Sequence, residues 1–277
     1  MLIDSHAHLN FNAYKEDADQ VIQRAFANNI WMVNVGSQYE TSKRAVGIAQ
    51  RYTDGIFAAV GLHPIHLETN LLKIKVDKEE VEIKTREEDF DYEKYKNLAQ
   101  NKKVVAIGEI GLDYYWKPKT KNKLELFKAK QKEVLLKQLE LAKELNLPVI
   151  FHCRFGHSDL INILESFSQL SKFQMRGVIH CFAGNLDEAK RYLKMGFYLG
   201  FNGLIFKLDF DDIIKKISLE KILIETDCPY LTPPPMTGRN EPFYIKYVAE
   251  KIAKIKNVSF KKVEEVTAQN ARNLFRI

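Results

Sequence analysis

Leu2-Ile3-Asp4-Ser5-His6-Ala7-His8 begins as an apolar run and ends in two histidines two positions apart. The same form returns as Val60-Gly61-Leu62-His63-Pro64, Val149-Ile150-Phe151-His152-Cys153-Arg154 and Val178-Ile179-His180-Cys181-Phe182. Two further stretches end in carboxylates: Ala106-Ile107-Gly108-Glu109-Ile110-Gly111-Leu112-Asp113 and Ile222-Leu223-Ile224-Glu225-Thr226-Asp227. The strands of a parallel barrel all open on one face, so side chains at their ends converge however distant in sequence. Repeated apolar runs ending in metal-capable groups therefore predict an α/β chain, a TIM-like (β/α)8 barrel with a metal site at its strand ends.

Working outward, the segments between these runs have helical period, as βα units require. Strands are expected over 2–8, 31–35, 56–62, 104–110, 149–152, 177–181, 197–201 and 221–227. Helices are expected near 17–28, 40–52, 123–145, 241–255 and 259–274. Pro64 stops the third strand because it cannot donate to a ladder. Gly200 and Gly203 point to close backbone approach after the seventh strand. Residues 71–91 mix Lys and Glu with little Gly or Pro, which reads as an exposed, partly helical insertion in a single domain.

A length of 277 residues suits one such barrel, which typically takes ~250 residues. Hydrophobic residues make up 45% and charged ones 28%, a soluble globular balance with an ample core. No apolar stretch reaches the ~18 residues of a membrane span. Met1 leads directly into the first strand, and cleavage of a signal peptide there would remove two candidate ligands, so a cytoplasmic protein is expected. Cys153, Cys181 and Cys228 are an odd set without regular spacing, which argues against a disulfide framework. The net charge of +6 permits attraction to a polyanion without requiring it. Much of that excess lies in 117–132, where a solvated helix face is the favoured reading.

His6 and His8 are two apart on one strand and project to the same side, within reach of one cation. Glu109, His152, His180 and Asp227 end later strands. Six such groups exceed what one tetrahedral ion needs and suit two divalent ions, Mg, Mn or Zn. His6, His8 and Asp227 would hold one, His152 and His180 the other, and Glu109 would bridge. Asp227 is also placed to orient or deprotonate a water. A lone histidine at a strand end is ordinarily just hydrogen-bonded, but buried carboxylates such as Glu109 and Asp227 demand compensation. His63 contacts either substrate or the Pro64 turn; His66 and His157 are read as surface residues or supports behind the ligands. Asp4 is read as structural, near the barrel floor. Arg154 matches the fork geometry of phosphate, and Glu225 either supports a ligand or pairs with a neighbour.

The ordered motifs DSHAHL (4–9), GLHP (61–64), GEIGLDYY (108–115), FHCR (151–154), IHCF (179–182), ETDCPYLTP (225–233), RNEP (239–242) and NARNLF (270–275) resemble those of the TatD-type deoxyribonucleases. These belong to the amidohydrolase-like TIM barrel superfamily. The resemblance covers essentially the whole chain. It implies divalent-metal-dependent hydrolysis of DNA phosphodiesters, frequently as a 3′-to-5′ exonuclease, which the two-ion arrangement would carry out by a metal-bound hydroxide. It also implies that His6, His8, Glu109, His152, His180 and Asp227 are the metal ligands, with Asp227 and Glu109 catalytic. Related amidohydrolases often bridge their metals with a modified lysine, whereas here the fourth strand offers Glu109, which favours the nuclease branch. His63 and Arg154 would steady the phosphate, and Tyr114, Tyr115 or Trp116 would stack on an unpaired base or serve as packing. The expected partner is single-stranded DNA ends, and the expected state a monomer. The rival readings are a D-aminoacyl-tRNA deacylase, a small-molecule esterase or amidohydrolase, and a non-enzymatic metal-binding scaffold.

Overall fold

The computed structural model describes residues 1–68, 73–74, 83–84 and 87–277. In chain order the elements are β1 (Leu2–Ala7), α1 (Ala18–Ala27), β2 (Ile30–Val35), α2 (Tyr39–Gln50), β3 (Ile56–Val60), β4 (Lys73–Ile74) and β5 (Ile83–Lys84). There follow α3 (Tyr92–Ala99), β6 (Val104–Asp113), α4 (Lys121–Glu144), β7 (Val149–Arg154), α5 (His157–Ser171), β8 (Gly177–Ile179) and α6 (Leu186–Lys194). The last are β9 (Tyr198–Phe201), α7 (Asp211–Lys216), β10 (Ile222–Ile224), α8 (Ile245–Lys256) and α9 (Phe260–Phe275).

Eight of the strands form one parallel sheet in the order β1-β2-β3-β6-β7-β8-β9-β10. The chain leaving β10 returns to β1: Asp227 N donates to His6 O at 2.9 Å and His8 N to Cys228 O at 2.9 Å. The result is the nearly closed (β/α)8 barrel that the alternation predicts. Ile3, Val33, Ala59, Val105, Ile150, Val178 and Leu223 come from seven different strands yet share one apolar cluster. Only the inside of a barrel can bring them together. Ala271, Leu274 and Phe275 of α9 join that cluster, near Met1, Trp31 and Phe57 at the strand beginnings, and so plug the end opposite the motifs. Alternate strand residues such as Met32, Ala58, Val149, Phe151 and Ile222 face the helices in the larger outer core. No helix among the described residues is long and apolar enough to cross a membrane.

Several boundaries differ from expectation, and three of the differences have a clear physical cause. Within 71–91, the described residues Lys73–Ile74 and Ile83–Lys84 pair as antiparallel strands rather than forming helix. Ile74 and Ile83, which pair across the two strands, are β-branched, and β-branched residues favour strands. The rest of that insertion up to residue 86 lies outside the described residues. β6 runs on to Asp113 because β7 continues the ladder alongside it, pairing Gly111 with His152 and Asp113 with Arg154. β10 stops at Ile224 because Thr226 N turns away to Asp4 Oδ1 at 2.9 Å.

Candidate metal centre

His6 of β1 owes its direction to an irregularity. Ile3 points into the barrel, so strict alternation would send His6 outward, but the pairing of β1 with β2 shifts between Asp4 and Ala7. Asp4 holds that shift by accepting from His6 N at 3.2 Å and from both the N–H and the hydroxyl of Thr226. Asp4 is thus structural but does not lie at the barrel floor: it clamps β1 to the end of β10 directly behind the site. Burial pushes its carboxyl up to about 8, with the Thr226 hydrogen bonds opposing.

His6 Nε2 and His8 Nε2 lie 3.0 Å apart. His8 Nδ1 meets the Val35 carbonyl at 2.8 Å, and a carbonyl can only accept, so Nδ1 is the donor and Nε2 is turned toward the site. His180 is oriented in the same way, Nδ1 at 3.1 Å from Glu225 Oε1 and Nε2 at 3.1 Å from Glu109 Oε1. His152 Nδ1 lies 2.8 Å from Glu109 Oε1, while its Nε2 lies 3.1 Å from Asp113 Oδ2. Glu109 Oε2 turns the other way, 3.4 Å from His6 Nε2. Asp227 Oδ1 completes that side, 3.4 Å from His8 Nε2 and 3.8 Å from His6 Nε2. All six residues singled out from strand ends are therefore joined in one set of contacts that runs through Glu109 and His6.

Among the described residues the possible ligand atoms fall into three groups, each within 4.8 Å: His6 with His8 and Asp227, His6 with Glu109 and His180, and His63 with Glu109 and His152. His63 makes the Pro64-turn contact that one of its readings expects, and it also faces the site. Its Nδ1 accepts from Ile65 N at 3.0 Å in the Pro64 turn, and its Nε2 stands 3.5 Å from Glu109 Oε1. His66 and His157 are not at the surface: His66 is buried beside His63, and buried His157 meets the Tyr192 hydroxyl at 3.1 Å. Burial together with the His63 charge lowers His66 to about 3.

The electrostatics fit a cation. Burial alone would raise the Glu109 carboxyl, but His63, His180, His6 and His152 hold it well below the usual range. Asp227 and Asp113 are likewise lowered against burial by their histidine neighbours. In return, burial notwithstanding, the Asp113 and Glu109 hydrogen bonds raise His152 to about 9, and the charges of Glu109 and Glu225 hold His180 well above its ordinary value. Ionised carboxylates in a buried pocket call for positive charge, and imidazole nitrogens with carboxylate oxygens are the donor set that Zn, Mn or Fe accept.

Arg154 is exposed at the rim, its guanidinium 3.8 Å from the centre of the Tyr115 ring. Tyr114 is half-buried and gives its hydroxyl to Asp159 at 2.7 Å, to the side of the centre. Cys153 and Cys228 are buried and Cys181 partly so, all with free thiols that burial pushes up to about 12, which leaves them unreactive. Asp113 is the site residue to which the sequence reading gives no role, because it lies beyond the expected strand end at 110. A signal for it exists: Asp113 stands four positions after Glu109, and alternation along an extended strand puts both on one side.

A family model described as TatD related DNase matches residues 3–276. The chain belongs to the TatD-related DNase family. It is a metal-dependent hydrolase. It is 41% identical over 282 residues to an uncharacterised metal-dependent hydrolase, YabD, of Bacillus subtilis, covering 100% of both chains. It is 30% identical to a protein of Escherichia fergusonii named 3′-5′ ssDNA/RNA exonuclease TatD, covering 100% of this chain and 99% of that one. Among solved structures, the TatD homologue YJJV of Escherichia coli K12 superposes with a TM-score of 0.83 at 27% identity, covering 100% of this chain and 98% of that one. TatD-family membership thus agrees with the barrel fold.

Proposed function

We propose that this TatD-family hydrolase removes nucleotides from the 3′ ends of single-stranded DNA, using two divalent cations. His6, His8 and Asp227 would hold one, and His152 and His180 the other. One observation carries the reading: the Glu109 carboxylate is shared, Oε2 facing His6 at 3.4 Å and Oε1 facing His152 and His180 at 2.8 and 3.1 Å. Bound there, the cations would supply Lewis acidity to a phosphoryl oxygen and to a water.

The chain's own groups supply orientation and proton handling. The Val35 carbonyl, Glu225 and Asp113 each fix the ring of one histidine, so no reorganisation is needed when substrate arrives. Asp227, kept ionised by His8, His180 and His6 and still 15% exposed, accepts the proton of the attacking water. Arg154, exposed at the rim, pairs its fork with phosphate oxygens. The choice of nucleic acid follows the exonuclease name of the Escherichia fergusonii relative and accords with the +6 net charge.

The test is purified protein supplied with Mg, Mn or Zn and given DNA labelled at the 3′ or the 5′ end, single-stranded or duplex. Metal-dependent loss of the 3′ label first, from single strands, supports the proposal. Failure to cut any oligonucleotide, with turnover of aminoacyl-tRNA or a lactone instead, overturns it.

A further inference from the structure

The wall beside the metal centre has a feature that hydrolysis alone does not require. Phe155 follows Arg154 at the end of β7, is 73% exposed, and has a φ of +58°. An aromatic side chain in water, on backbone in the left-handed region, is unfavourable on both counts, so folding does not account for it. Its ring stacks on Tyr115 with centroids 5.7 Å apart and planes 29° from parallel. Tyr115 is itself 44% exposed, meets Trp116 edge-on at 4.8 Å, and carries the Arg154 guanidinium 3.8 Å from its ring centre.

Asp113 fastens this group to the site. Its Oδ1 accepts from Tyr115 N at 2.9 Å and Trp116 N at 3.1 Å, while its Oδ2 lies 3.1 Å from His152 Nε2. The aromatic wall therefore stands one side chain from a candidate metal ligand. Phe155 also lines a cleft of about 500 Å³ together with Tyr114, His157 and the loop 183–185. Beyond Trp116 the chain carries Lys117, Lys119, Lys121 and Lys123, all exposed.

We propose that Phe155 and Tyr115 form a stacking platform for an unpaired nucleobase beside the scissile phosphodiester. Arg154 takes the adjoining phosphate, and the lysines at 117–123 follow the strand beyond it. The inference rests on the nuclease reading and adds how single strands are selected. Every base has a π-face, so the platform is tolerant of sequence, but a paired base is already stacked on its neighbours and cannot reach it. The guanidinium over Tyr115 and the four exposed lysines that follow Trp116 in the chain favour a polyanion over an apolar protein partner.

The experiment uses chelator-treated protein and an oligonucleotide with 2-aminopurine at its 3′ end, or at its 5′ end in a second strand. Stacking quenches that fluorophore. Wild type quenches the probe at one end. Phe155→Ala abolishes the quench and weakens binding roughly 5- to 100-fold, as expected for loss of one stacked base. Phe155→Tyr keeps both. Changing the four lysines to Gln reduces the slope of log affinity against log salt, by about 0.7 per phosphate contact removed. No quench at either end with wild type, or an unchanged quench with Phe155→Ala, overturns the platform. Because this readout needs neither metal nor turnover, it is separable from the nuclease reading. A quenched probe with no metal-dependent cutting of DNA removes only that reading, while cutting with an unaltered Phe155→Ala quench removes only the platform.

Discussion

Gln138 makes both of its amide hydrogen bonds to the backbone of Leu62, Oε1 accepting from Leu62 N at 2.8 Å and Nε2 donating to Leu62 O at 3.0 Å. The next residue is His63. Two turns earlier on the same face of α4, Gln131 does the same to Asp113, accepting from its N–H at 2.8 Å and donating to its carbonyl at 2.8 Å. Both glutamines are buried. One helix thus staples two strand ends that carry site residues, satisfying backbone groups that would otherwise be orphaned inside the protein.

Replacing Gln138 by Leu leaves the Leu62 N–H and C=O buried and unpaired. A loss of about 2–4 kcal/mol in urea unfolding is expected, from two hydrogen bonds at roughly 1–2 kcal/mol each. Turnover should fall as well, because His63 moves with Leu62. A stability within about 0.5 kcal/mol of wild type, roughly the scatter of neutral surface changes, would show that the staple is idle.

Glu109→Ala removes the carboxylate placed between the two histidine sets. Turnover of single-stranded DNA should drop to background, and the rise in Tm produced by added manganese should shrink. Full activity of this variant on end-labelled DNA would dismiss the shared-ligand role.

Gly200→Ala tests a position with no room. A Cβ there would run into Glu225 Oε2, and Glu225 is wholly buried while holding His180, Cys181 N at 2.7 Å and Asn202 at 3.1 Å. The variant should fold with a loss of about 1–3 kcal/mol. Its metal affinity should fall about 10- to 100-fold, through the tilted His180 ring. Wild-type metal binding, read by titration calorimetry, would show that Glu225 does not steer His180.

Asp17 supplies a pH signature away from the site. Arg239 bonds both of its carboxylate oxygens and holds it below the ordinary range. A depressed carboxylate pKa contributes stability that is fully present above the unfolded value near ~3.9 and is lost as pH falls through the folded one. The stability difference between wild type and Asp17→Asn should therefore be constant from about pH 5 to 8 and close below about pH 4. It should also be small and salt-sensitive, because the pair is half-exposed. A difference that persists unchanged at about pH 2.5 would exclude the ion pair as its source.

The chain order alone made the barrel and its six convergent residues legible. Short apolar runs separated by helical segments have few ways to bury their faces, and the parallel solution puts every strand end on one rim. That is why His6, Glu109 and Asp227, scattered over the sequence, could be placed together from the pattern of residues. Gly200 was legible too, since a glycine at a strand end signals close approach.

The supports of the site were decided only in three dimensions. Gln131 and Gln138 look like solvent-facing residues of an amphipathic helix, and their partners lie 18 and 76 positions away. The inward turn of His6 depends on a register shift that Asp4 and Thr226 create across the closing seam. Phe155 reads as one more apolar residue until its exposure and its stack on Tyr115 are seen. Periodicity reports which face a residue occupies, because that follows from backbone geometry. Which atoms meet across the fold follows from packing and hydrogen-bond satisfaction, and these exist only once the barrel has closed.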